Sequence, residues 1–443
     1  MKTKSELLDL MEFENVKFLR LWFTDIMGIN KNVEVPSSQF DKALSGKIHF
    51  DGSSVEGFAR IEESDMVLSP DLRTFRIFPW EDERSKGRVA RVICDAKNPD
   101  GSQFPGCPRS LLRRMLADLE KEGFKMMVGP EVEFFLFERN PDGTPTIRTS
   151  DAGGYFDLAP IDRAEEARRE IVQVLESLEY EVEASHHEVA PGQHEIDFKY
   201  GDALLTADNV ATFRFVVRKI AMNHNLHATF MPKPIFGISG SGMHTNQSLF
   251  KEGRNTFDAP EKPYGLSESC LHYIGGLMKH ARAICAIANP LINSYKRLVP
   301  NYEAPTIITW SERNRSPLIR VPASRGQSTR VELRSPDPSA NPYLSLSVML
   351  AAGLDGIRNS IDPGEPVKGN LYHMSDEELT AHNIRRLPAH LSEAIDALEA
   401  DELIMNTLGE HICRNYIKAK REEWQEYIAQ VHNWERERYL SLY

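Results

Sequence analysis

Cysteine is scarce in this sequence, with only five residues in 443, at positions 94, 107, 270, 285 and 413. The five are widely spaced, and no two of them lie close enough to form a zinc knuckle or a redox pair. Their odd number also argues against a disulfide framework of the kind that secreted domains use. We therefore expect a protein of the reducing cytoplasm.

The sequence also has no excess of basic residues and no long apolar run. Sixty-five acidic residues against 53 basic ones give a formal net charge of −12, the wrong sign for a broad nucleic-acid footprint. The first residues, MKTKSELLDLMEFEN, contain frequent charges and no signal-peptide stretch. The uncharged stretch from Pro338 to Leu354 contains two prolines and is too short for a membrane span. We expect no nucleic acid, no membrane and no export.

What the chain does have is enough apolar residues for a sizeable core, with 41% hydrophobic and 27% charged residues. Its length suggests two or more domains. Short strand-like runs fill the first part of the chain and end before the polar, Gly- and Pro-rich stretch AKNPDGSQFPGCPRS. This stretch predicts a domain boundary near residue 104, which divides the chain into 1–104 and 105–443.

Apolar periodicity predicts most of the helices and strands. We expect an N-terminal helix over 5–11 capped by Ser5, and then a strand over 16–23 that opens a hairpin. Further helices are predicted at 111–119, 204–223, 267–288, 342–358, 391–398 and 401–432. Apolar residues near helical spacing in the C-terminal tail, Trp424 and Trp434 among them, predict a docked amphipathic helix. The larger part of the chain is thus mixed α and β.

Two segments contain paired carboxylates. In GPEVEFFLF, the period-2 alternation of a strand places Glu131 and Glu133 on one face. Two like charges so close in an apolar strand need a cation or an arginine, unless the strand is a solvated edge. In HHEVAPGQHEID, Glu188 and Glu195 flank a Pro-Gly turn and can point toward one site.

A glycine-rich segment, GISGSGMHTNQS, contains three glycines that permit close backbone approach to a ligand, and His244 follows them. It lacks the Lys-Ser/Thr of a P-loop, and its spacing does not fit the Rossmann fingerprint. A bound nucleotide would therefore be held in another way. A structural role for His244 stays open at this point.

Arginines surround a further carboxylate in RVELRSPDPSANPY, where Arg330, Glu332 and Arg334 share one strand face. The face is either an exposed edge or a half-buried surface whose charges need partners. Additional arginines that suit phosphate and carboxylate oxygens are Arg297, Arg315 and Arg320. Oxygen ligands with one imidazole favour Mg²⁺ or Mn²⁺, and the nearby arginines favour phosphoryl transfer.

Six motifs occur in order along the whole chain: FDGSSVEGFARIEESDM, GPEVEFFLF, HHEVAPGQHEID, KPIFGISGSGMH, NSYKRLVPNYEAP and RVELRSPDPSANPYL. Together they resemble the signatures of glutamine synthetase, and the chain is most similar to the shorter bacterial type I form. The resemblance implies an α+β fold, with an N-terminal β-grasp domain and a catalytic domain built on a curved antiparallel sheet like that of guanidino kinases. It also implies a dodecamer whose active sites lie between subunits.

The resemblance further implies ATP-dependent ligation of ammonia to glutamate through γ-glutamyl phosphate, with two or more Mg²⁺ or Mn²⁺ ions. One ion would be held by Glu133, Glu188 and Glu195, and the second by Glu131, His244 and Glu332. The implied catalytic residues are Asp51, Ser54, Glu303 and Arg315. The implied substrate contacts are Ser239, Gly240, His244, Arg297, Glu303, Arg315 and Arg334, and the implied nucleotide contacts are Ser248, Arg315, Arg320 and Arg330.

Two features bear on specificity and regulation. Ser239 stands where the family usually has Asn, which affects a contact with the amino-acid substrate, and Asn246 stands where some relatives carry a second histidine. Arg60 is the residue expected to mediate feedback inhibition by glutamine, and Tyr372 occupies the position that is adenylylated in some relatives. Nitrogen-responsive transcriptional regulators are expected partners.

Three alternatives remain at this stage. A γ-glutamyl-amine ligase would act on a polyamine or another amine, and it would differ at the nucleophile pocket. A catalytically silent regulatory descendant would be expected to have lost metal ligands. A guanidino kinase would leave the FDGSS motif and the N-terminal domain without a role.

Overall fold

The structure is a computed structural model that describes residues 2–55, 57, 65–82, 86–300, 302–312, 316–367, 379 and 384–443. Arg60, Arg315, Tyr372 and the side chain of Ser54 lie outside the described residues. The N-terminal elements are α1 (Lys4–Phe13), β1 (Val16–Thr24), β2 (Asn30–Pro36), α2 (Phe40–Leu44), β3 (Ile48–Asp51), β4 (Asp65–Asp82) and β5 (Gly87–Lys97).

The N-terminal strands form one five-stranded sheet in the order β2-β1-β5-β4-β3. The predicted hairpin is confirmed, since β1 pairs antiparallel with β2 from Phe18↔Pro36 to Thr24↔Asn30. β1 also pairs in parallel with β5, so the hairpin lies beside the last strand of the unit. The predicted helix cap was wrong by two residues. The side chain of Thr3, not Ser5, accepts the Glu6 N–H, and Glu6 completes a capping box.

The rest of the chain is mixed α and β, as expected. Its strands are β6 (Phe124–Arg139), β7 (Pro145–Thr149), β8 (Val182–His187), β9 (Gln193–Phe198), β10 (Gly201–Asp202), β11 (Leu226–Thr229), β12 (Met243–Lys251), β13 (Arg254–Asn255), β14 (Trp310–Ser311), β15 (Ile319–Arg320) and β16 (Val331–Leu333). Its helices are α3 (Pro108–Lys121), α4 (Glu165–Ser177), α5 (Ala203–Asn223), α6 (Glu268–Ala288), α7 (Ser294–Arg297), α8 (Pro342–Arg358), α9 (Leu391–Glu399), α10 (Glu402–Ile428) and α11 (Asn433–Tyr439).

The long strand β6 organises the large sheet, whose main path runs β14-β15-β16-β12-β6-β9-β8. Both neighbours of β6 on this path are antiparallel to it. One face of β6 carries Val132, Phe134 and Leu136, and the opposite face carries Glu131 and Glu133. The three apolar side chains are buried in a core shared with residues of α4 and α5. The other face of β6 is polar at Glu131 and Glu133 and becomes apolar at Phe135 and Phe137, which are buried.

A buried arginine joins the N-terminal sheet to the large domain. Arg109 on α3 forms ion pairs with Asp208 on α5 at 2.7 Å, and with Asp71 and Asp95 of the N-terminal sheet at 3.0 Å each. Its side chain is only 2% exposed, so these pairs are shielded from water and salt. Arg109 thereby fixes the relative position of α3, α5, β4 and β5.

The C-terminal region differs from the single helix predicted over 401–432. Gly409 has a φ of 78° and interrupts α10, and a separate short helix, α11, follows after residue 432. Trp424 packs against the core, as an amphipathic helix requires. In contrast, Trp434 and Leu440 are 60% and 80% exposed, so the docking prediction was wrong for the last residues within this chain. None of the helices in the described ranges has the length and hydrophobicity to cross a bilayer.

His280 makes the packing of α6 sensitive to pH. Its Nδ1 contacts Asp401 at 2.6 Å and its Nε2 contacts Asp355 at 3.0 Å. Burial opposes protonation, but the hydrogen bonds to both carboxylates outweigh it and raise the pKa of His280. The stabilisation is therefore full below the unfolded-state pKa of about 6.5 and is lost as pH rises through the folded-state pKa.

We predict that His280→Gln lowers the free energy of unfolding by about 2 kcal/mol near pH 5.5 and by clearly less near pH 8.5. Urea unfolding at the two pH values measures the difference. His272→Gln, on the same helix, is the control. An equal loss at both pH values would show that His280 is not charged in the folded protein.

Candidate active site

The polar face of β6 and the strands beside it carry the predicted metal ligands. In the antiparallel ladder Glu131 lies opposite His244 of β12, and Glu133 lies opposite Glu195 of β9. Glu332 of β16 joins the group because β16 pairs with β12 on its other side. Residues more than 200 positions apart in the sequence thus meet on four neighbouring strands.

Three of these residues form a compact set, which we call the second set: Glu131, His244 and Glu332. One ligand atom from each lies within 4.8 Å of the others. His244 Nδ1 is 3.3 Å from Glu131 Oε2 and 3.7 Å from Glu332 Oε1. His244 and Glu332 are buried, whereas Glu131 is half-buried. Two carboxylates and an imidazole at these distances suit a divalent cation.

A neighbouring group, the first set, comprises Glu133, Glu188 and Glu195. Ligand atoms of Glu188 and Glu195 lie within 4.8 Å of each other and of His186. The His186 ring is 3.7 Å from Glu188 Oε1 and 3.6 Å from Glu195 Oε1. Sequence reasoning missed His186. The available signal was its position two residues before Glu188, which period-2 alternation places on the same face.

The carboxylates of the first set repel one another in a buried environment. Burial and the charge of Glu188 together raise the pKa of Glu133 to about 8, although the charge of Arg297 opposes them. Burial and the nearby charges of Glu133 and Asp197 also raise the pKa of Glu195 well above its ordinary value. Carboxyl groups in this situation either bind protons or require a cation. The donor set therefore fits a hard divalent ion.

Glu131 behaves in the opposite way. Burial alone would raise its pKa, but the hydrogen bond from His244 and the charge of that ring lower the pKa to about 2. Asn246 Nδ2 also donates to Glu131 Oε1 at 2.9 Å. The second set thus has an ionised carboxylate already oriented by its neighbours.

Two of the predicted ligand-binding arginines contact the second set directly. Arg320 and Arg334 each form an ion pair with Glu332, which is fully buried. Arg297 is 2% exposed and donates to the carbonyls of Ser335 at 2.8 Å and Arg334 at 3.2 Å. The three guanidinium groups converge on the segment around Glu332, beside the two carboxylate sets.

The glycines of GISGSGMH bring the backbone close to the protein's own side chains. A Cβ on Gly242 would lie 2.4 Å from Arg297 Nη2, and one on Gly240 would lie 2.3 Å from the Pro232 carbonyl oxygen. The Gly242 N–H also donates to Glu133 Oε2 at 2.9 Å. The structure therefore accounts for Gly240 and Gly242 without a ligand contact. Ser239 is half-buried in the same segment.

A cavity of about 340 Å³ adjoins the second set, and the predicted nucleotide contacts Ser248 and Arg330 line it. Arg330 Nε donates to Asn246 Oδ1 at 2.9 Å, and Asn246 in turn contacts Glu131. A short hydrogen-bonded path therefore connects the cavity to the second set. The same cavity is lined by Asp197, whose pKa burial and the charge of Glu131 raise to about 7.

Two predicted catalytic residues lie apart from these strands. Asp51 is exposed at the end of β3, in the N-terminal sheet, and its Oδ1 accepts hydrogen bonds from the Ser53 N–H at 2.9 Å and the Ser53 hydroxyl at 2.6 Å. Glu303 is exposed in a loop and has a φ of 57°, an unusual backbone conformation for a glutamate.

Comparison with known protein families identifies the family of the chain. Residues 105–439 match the model of the glutamine synthetase catalytic domain, and residues 15–99 match the model of the glutamine synthetase β-grasp domain. The chain belongs to the glutamine synthetase family. The resemblance inferred from the six motifs is thereby confirmed, as is the expected β-grasp domain followed by a large catalytic domain with a sheet and helices.

Curated relatives match along the entire chain. The glutamine synthetase of Thermus thermophilus is 58% identical and covers 100% of this chain and 99% of its own length. The glutamine synthetase of Methanosarcina mazei is 54% identical, covering 99% of this chain and 98% of its own. The chain is accordingly a glutamate–ammonia ligase, and the silent descendant, the guanidino kinase and the amine ligase are not favoured.

Solved structures show the same fold. A GmaS–ADP complex is 33% identical with a TM-score of 0.89, covering 98% of this chain and 99% of that chain. The cryo-EM structure of Plasmodium falciparum glutamine synthetase is 26% identical with a TM-score of 0.88, covering 99% of both chains.

The repulsion within the first set predicts that Glu133→Gln stabilises the metal-free protein but weakens its stabilisation by metal. Because the pKa of Glu133 is raised, the chelator-treated protein loses stability as pH rises from about 4.3 through about 8. Near pH 8, Glu133→Gln should stabilise the chelator-treated protein by about 1 kcal/mol or more. The same variant should greatly reduce the rise in melting temperature that added Mn²⁺ produces in the unmodified protein.

Thermal unfolding with chelator and with Mn²⁺ measures both effects. Glu138→Gln is the matched control, because Glu138 lies on the same strand but pairs with Arg148 at the surface. If Glu133→Gln destabilised the chelator-treated protein, the proposed repulsion would be wrong.

Proposed function

We propose that this site ligates ammonia to glutamate in two steps. The γ-carboxylate of glutamate attacks the γ-phosphoryl group of ATP, and ammonia then displaces phosphate from γ-glutamyl phosphate. The observation that carries the proposal is a pair of neighbouring ligand groups, one of Glu131, His244 and Glu332 and the other of His186, Glu188 and Glu195, with Glu133 opposite Glu195 and with arginines and a cavity beside them. This combination suits phosphoryl transfer to an anionic acceptor.

The two sets would each hold a divalent cation, Mg²⁺ or Mn²⁺. The first set, with His186 as an additional neighbour, and the second set supply the oxygen-rich donors that these ions prefer. When bound, the ions neutralise charge on the phosphoryl oxygens. The repulsion that raises the pKa of Glu133 and Glu195 supports this assignment.

Arginines would hold the anionic groups of glutamate and phosphate. Arg297 and Arg334 are assigned to the glutamate carboxylates, and Arg320 and Arg315 to the phosphoryl group. The positions of Arg297, Arg320 and Arg334 beside Glu332 support these roles. Ser239, Gly240 and His244 would complete the binding site for the amino acid.

The nucleotide would occupy the cavity beside the second set. Ser248 lies on β12 four residues beyond His244, so alternation places both on the same face of the strand. Arg330 lines the same cavity and is half-buried. A guanidinium at this position can bind phosphate oxygens while its neighbour Asn246 maintains the link to Glu131.

Asp51 would bind ammonium and accept a proton from it, so that neutral ammonia becomes the nucleophile. The exposed position of Asp51 on the N-terminal sheet supports its donation to the active site of a neighbouring subunit in a homo-oligomer, which we propose to be a dodecamer. Ser54 would support this loop. Glu303, in an exposed loop, would close over the intermediate and limit its hydrolysis.

The remaining assignments also rest on the family. We propose domains at 1–104 and 105–443, cytoplasmic localisation, glutamine feedback through Arg60, and contact with nitrogen-responsive transcriptional regulators.

The ammonium role of Asp51 predicts that Asp51→Ala strongly reduces glutamine formation, by about 100-fold or more. The measurement is phosphate release from ATP with Mg²⁺ and glutamate, with ammonium compared against a panel of amines. Asp100→Ala is the matched control, because Asp100 is also exposed and also accepts the backbone N–H two residues later.

Release driven by ammonium in the unmodified protein and lost in Asp51→Ala would support the assignment. Release driven only by larger amines would instead indicate an amine ligase, with Ser239 as the first residue to test. Equal activity in Asp51→Ala and Asp100→Ala would contradict the role of Asp51.

A further inference from the structure

A buried polar cluster lies next to the first set, on the opposite side of strands β8 and β9. Its members are Asp151, Asp162, Arg168, His187 and His194, and each is less than 9% exposed. Ligand atoms of the two aspartates and the two histidines lie within 4.8 Å of one another. Distance alone would thus permit a third metal ion here.

The hydrogen bonds of the cluster argue against a metal. Arg168 Nη1 donates to Asp162 Oδ2 at 2.6 Å and lies 2.9 Å from His194 Nδ1. Asp151 Oδ1 lies 2.9 Å from His187 Nε2 and also accepts N–H groups from Gly153 and Gly192. The guanidinium already supplies the cation, and the aspartate oxygens are already occupied. The cluster is therefore a structural network rather than a cation site.

Two members of the network immediately precede ligands of the first set in the sequence. His187 precedes Glu188 and His194 precedes Glu195. Adjacent residues of a strand point to opposite faces, so each histidine lies on the face opposite to the glutamate that follows it. Both histidines are fully buried. The network therefore lies directly beneath the carboxylates. His187 Nδ1 also contacts the Glu188 carbonyl oxygen at 2.7 Å, which fixes the peptide group that follows this ligand.

The turn between the two ligands is held at its other end as well. Gly192 has a φ of 66°, and a Cβ there would lie 2.8 Å from the Leu136 carbonyl oxygen, so the turn is tightly packed. The Gly192 N–H donates to Asp151 Oδ1 at 2.9 Å. Asp151 Oδ1 therefore contacts both ends of the turn, His187 at its start and Gly192 at its end.

We propose that Asp151 is a positioning residue that sets the separation and orientation of Glu188 and Glu195 in the first set. The inference rests on the proposed function of that set as a cation site. The hydrogen bonds of the Asp151 carboxylate go to the turn, at His187 and Gly192, and to its own loop, at Gly153 and Ser150. The ligands of the second set lie on β6, β12 and β16, and none of these four residues belongs to those strands.

This selectivity provides a sharp test. The variant Glu332→Gln removes a ligand of the second set and leaves the first set intact. The variant Glu188→Gln does the reverse. Asp151→Ala should weaken Mn²⁺ binding by about 10- to 100-fold in the first background and leave it unchanged in the second. Free Mn²⁺ measured by electron paramagnetic resonance on the intact oligomer gives both affinities without recourse to activity.

A second readout separates positioning from catalysis. In the otherwise unmodified enzyme, Asp151→Ala should raise the Mn²⁺ concentration needed for half-maximal activity, while kcat at saturating Mn²⁺ stays close to its original value. Asp151→Asn retains the shape and one acceptor oxygen, so it should show a smaller shift of the same kind. This conservative variant also serves if Asp151→Ala folds poorly.

Asp25→Ala is the matched control. Asp25 is 1% exposed and accepts the Ile29 N–H at 2.9 Å in the β1–β2 turn, so its loss removes a comparable buried turn carboxylate far along the chain from the site. It should leave both Mn²⁺ affinities unchanged.

Unchanged binding in the Glu332→Gln background, or equal weakening in both backgrounds, would overturn the positioning role. Fewer than two Mn²⁺ ions bound to the unmodified chain would instead overturn the proposed function on which the inference rests.

Discussion

Mutual repulsion among buried carboxylates is the constraint on which the rest of this site depends. Glu133 and Glu195 lie opposite each other on paired strands, and the charge of Glu188 adds to the repulsion. A protein could relieve it with protons, arginines or metal ions. Here Arg320 and Arg334 pair with Glu332, and the charge of Arg297 only partly offsets the rise in the pKa of Glu133. A divalent cation is the partner that best satisfies both sets at once.

The architecture keeps these unfavourable groups together through favourable packing elsewhere. β6 buries Val132, Phe134 and Leu136 against helices on one face and carries the carboxylates on the other. Arg109 joins the large domain to the N-terminal sheet through buried ion pairs with Asp71 and Asp95, and a third pair with Asp208 holds it within the large domain. The repulsion among the carboxylates lowers the stability of the fold, and the apolar core beneath β6 offsets this loss. Active sites commonly have this arrangement.

Local pattern was enough to predict much of this site. Alternation along β6 indicated that Glu131 and Glu133 share a face, and apolar periodicity located most helices within a few residues. Features that depend on distant parts of the chain were not predictable in this way. One example is the close approach of Gly242 to Arg297, and another is the hydrogen bonding of Asp151 to the turn before Glu195. Each joins segments more than 35 residues apart. Likewise, the break at Gly409 depends on a positive φ that helical periodicity does not reveal.

The most direct test of the account is an anomalous difference map from crystals of the intact protein grown with Mn²⁺. The account predicts two peaks per chain, one bounded by Glu133, Glu188 and Glu195 and the other by Glu131, His244 and Glu332. No peak should appear among Asp151, Asp162, His187 and His194. A single shared peak, or a peak in that buried cluster, would contradict the two-cation centre and the structural role assigned to the network.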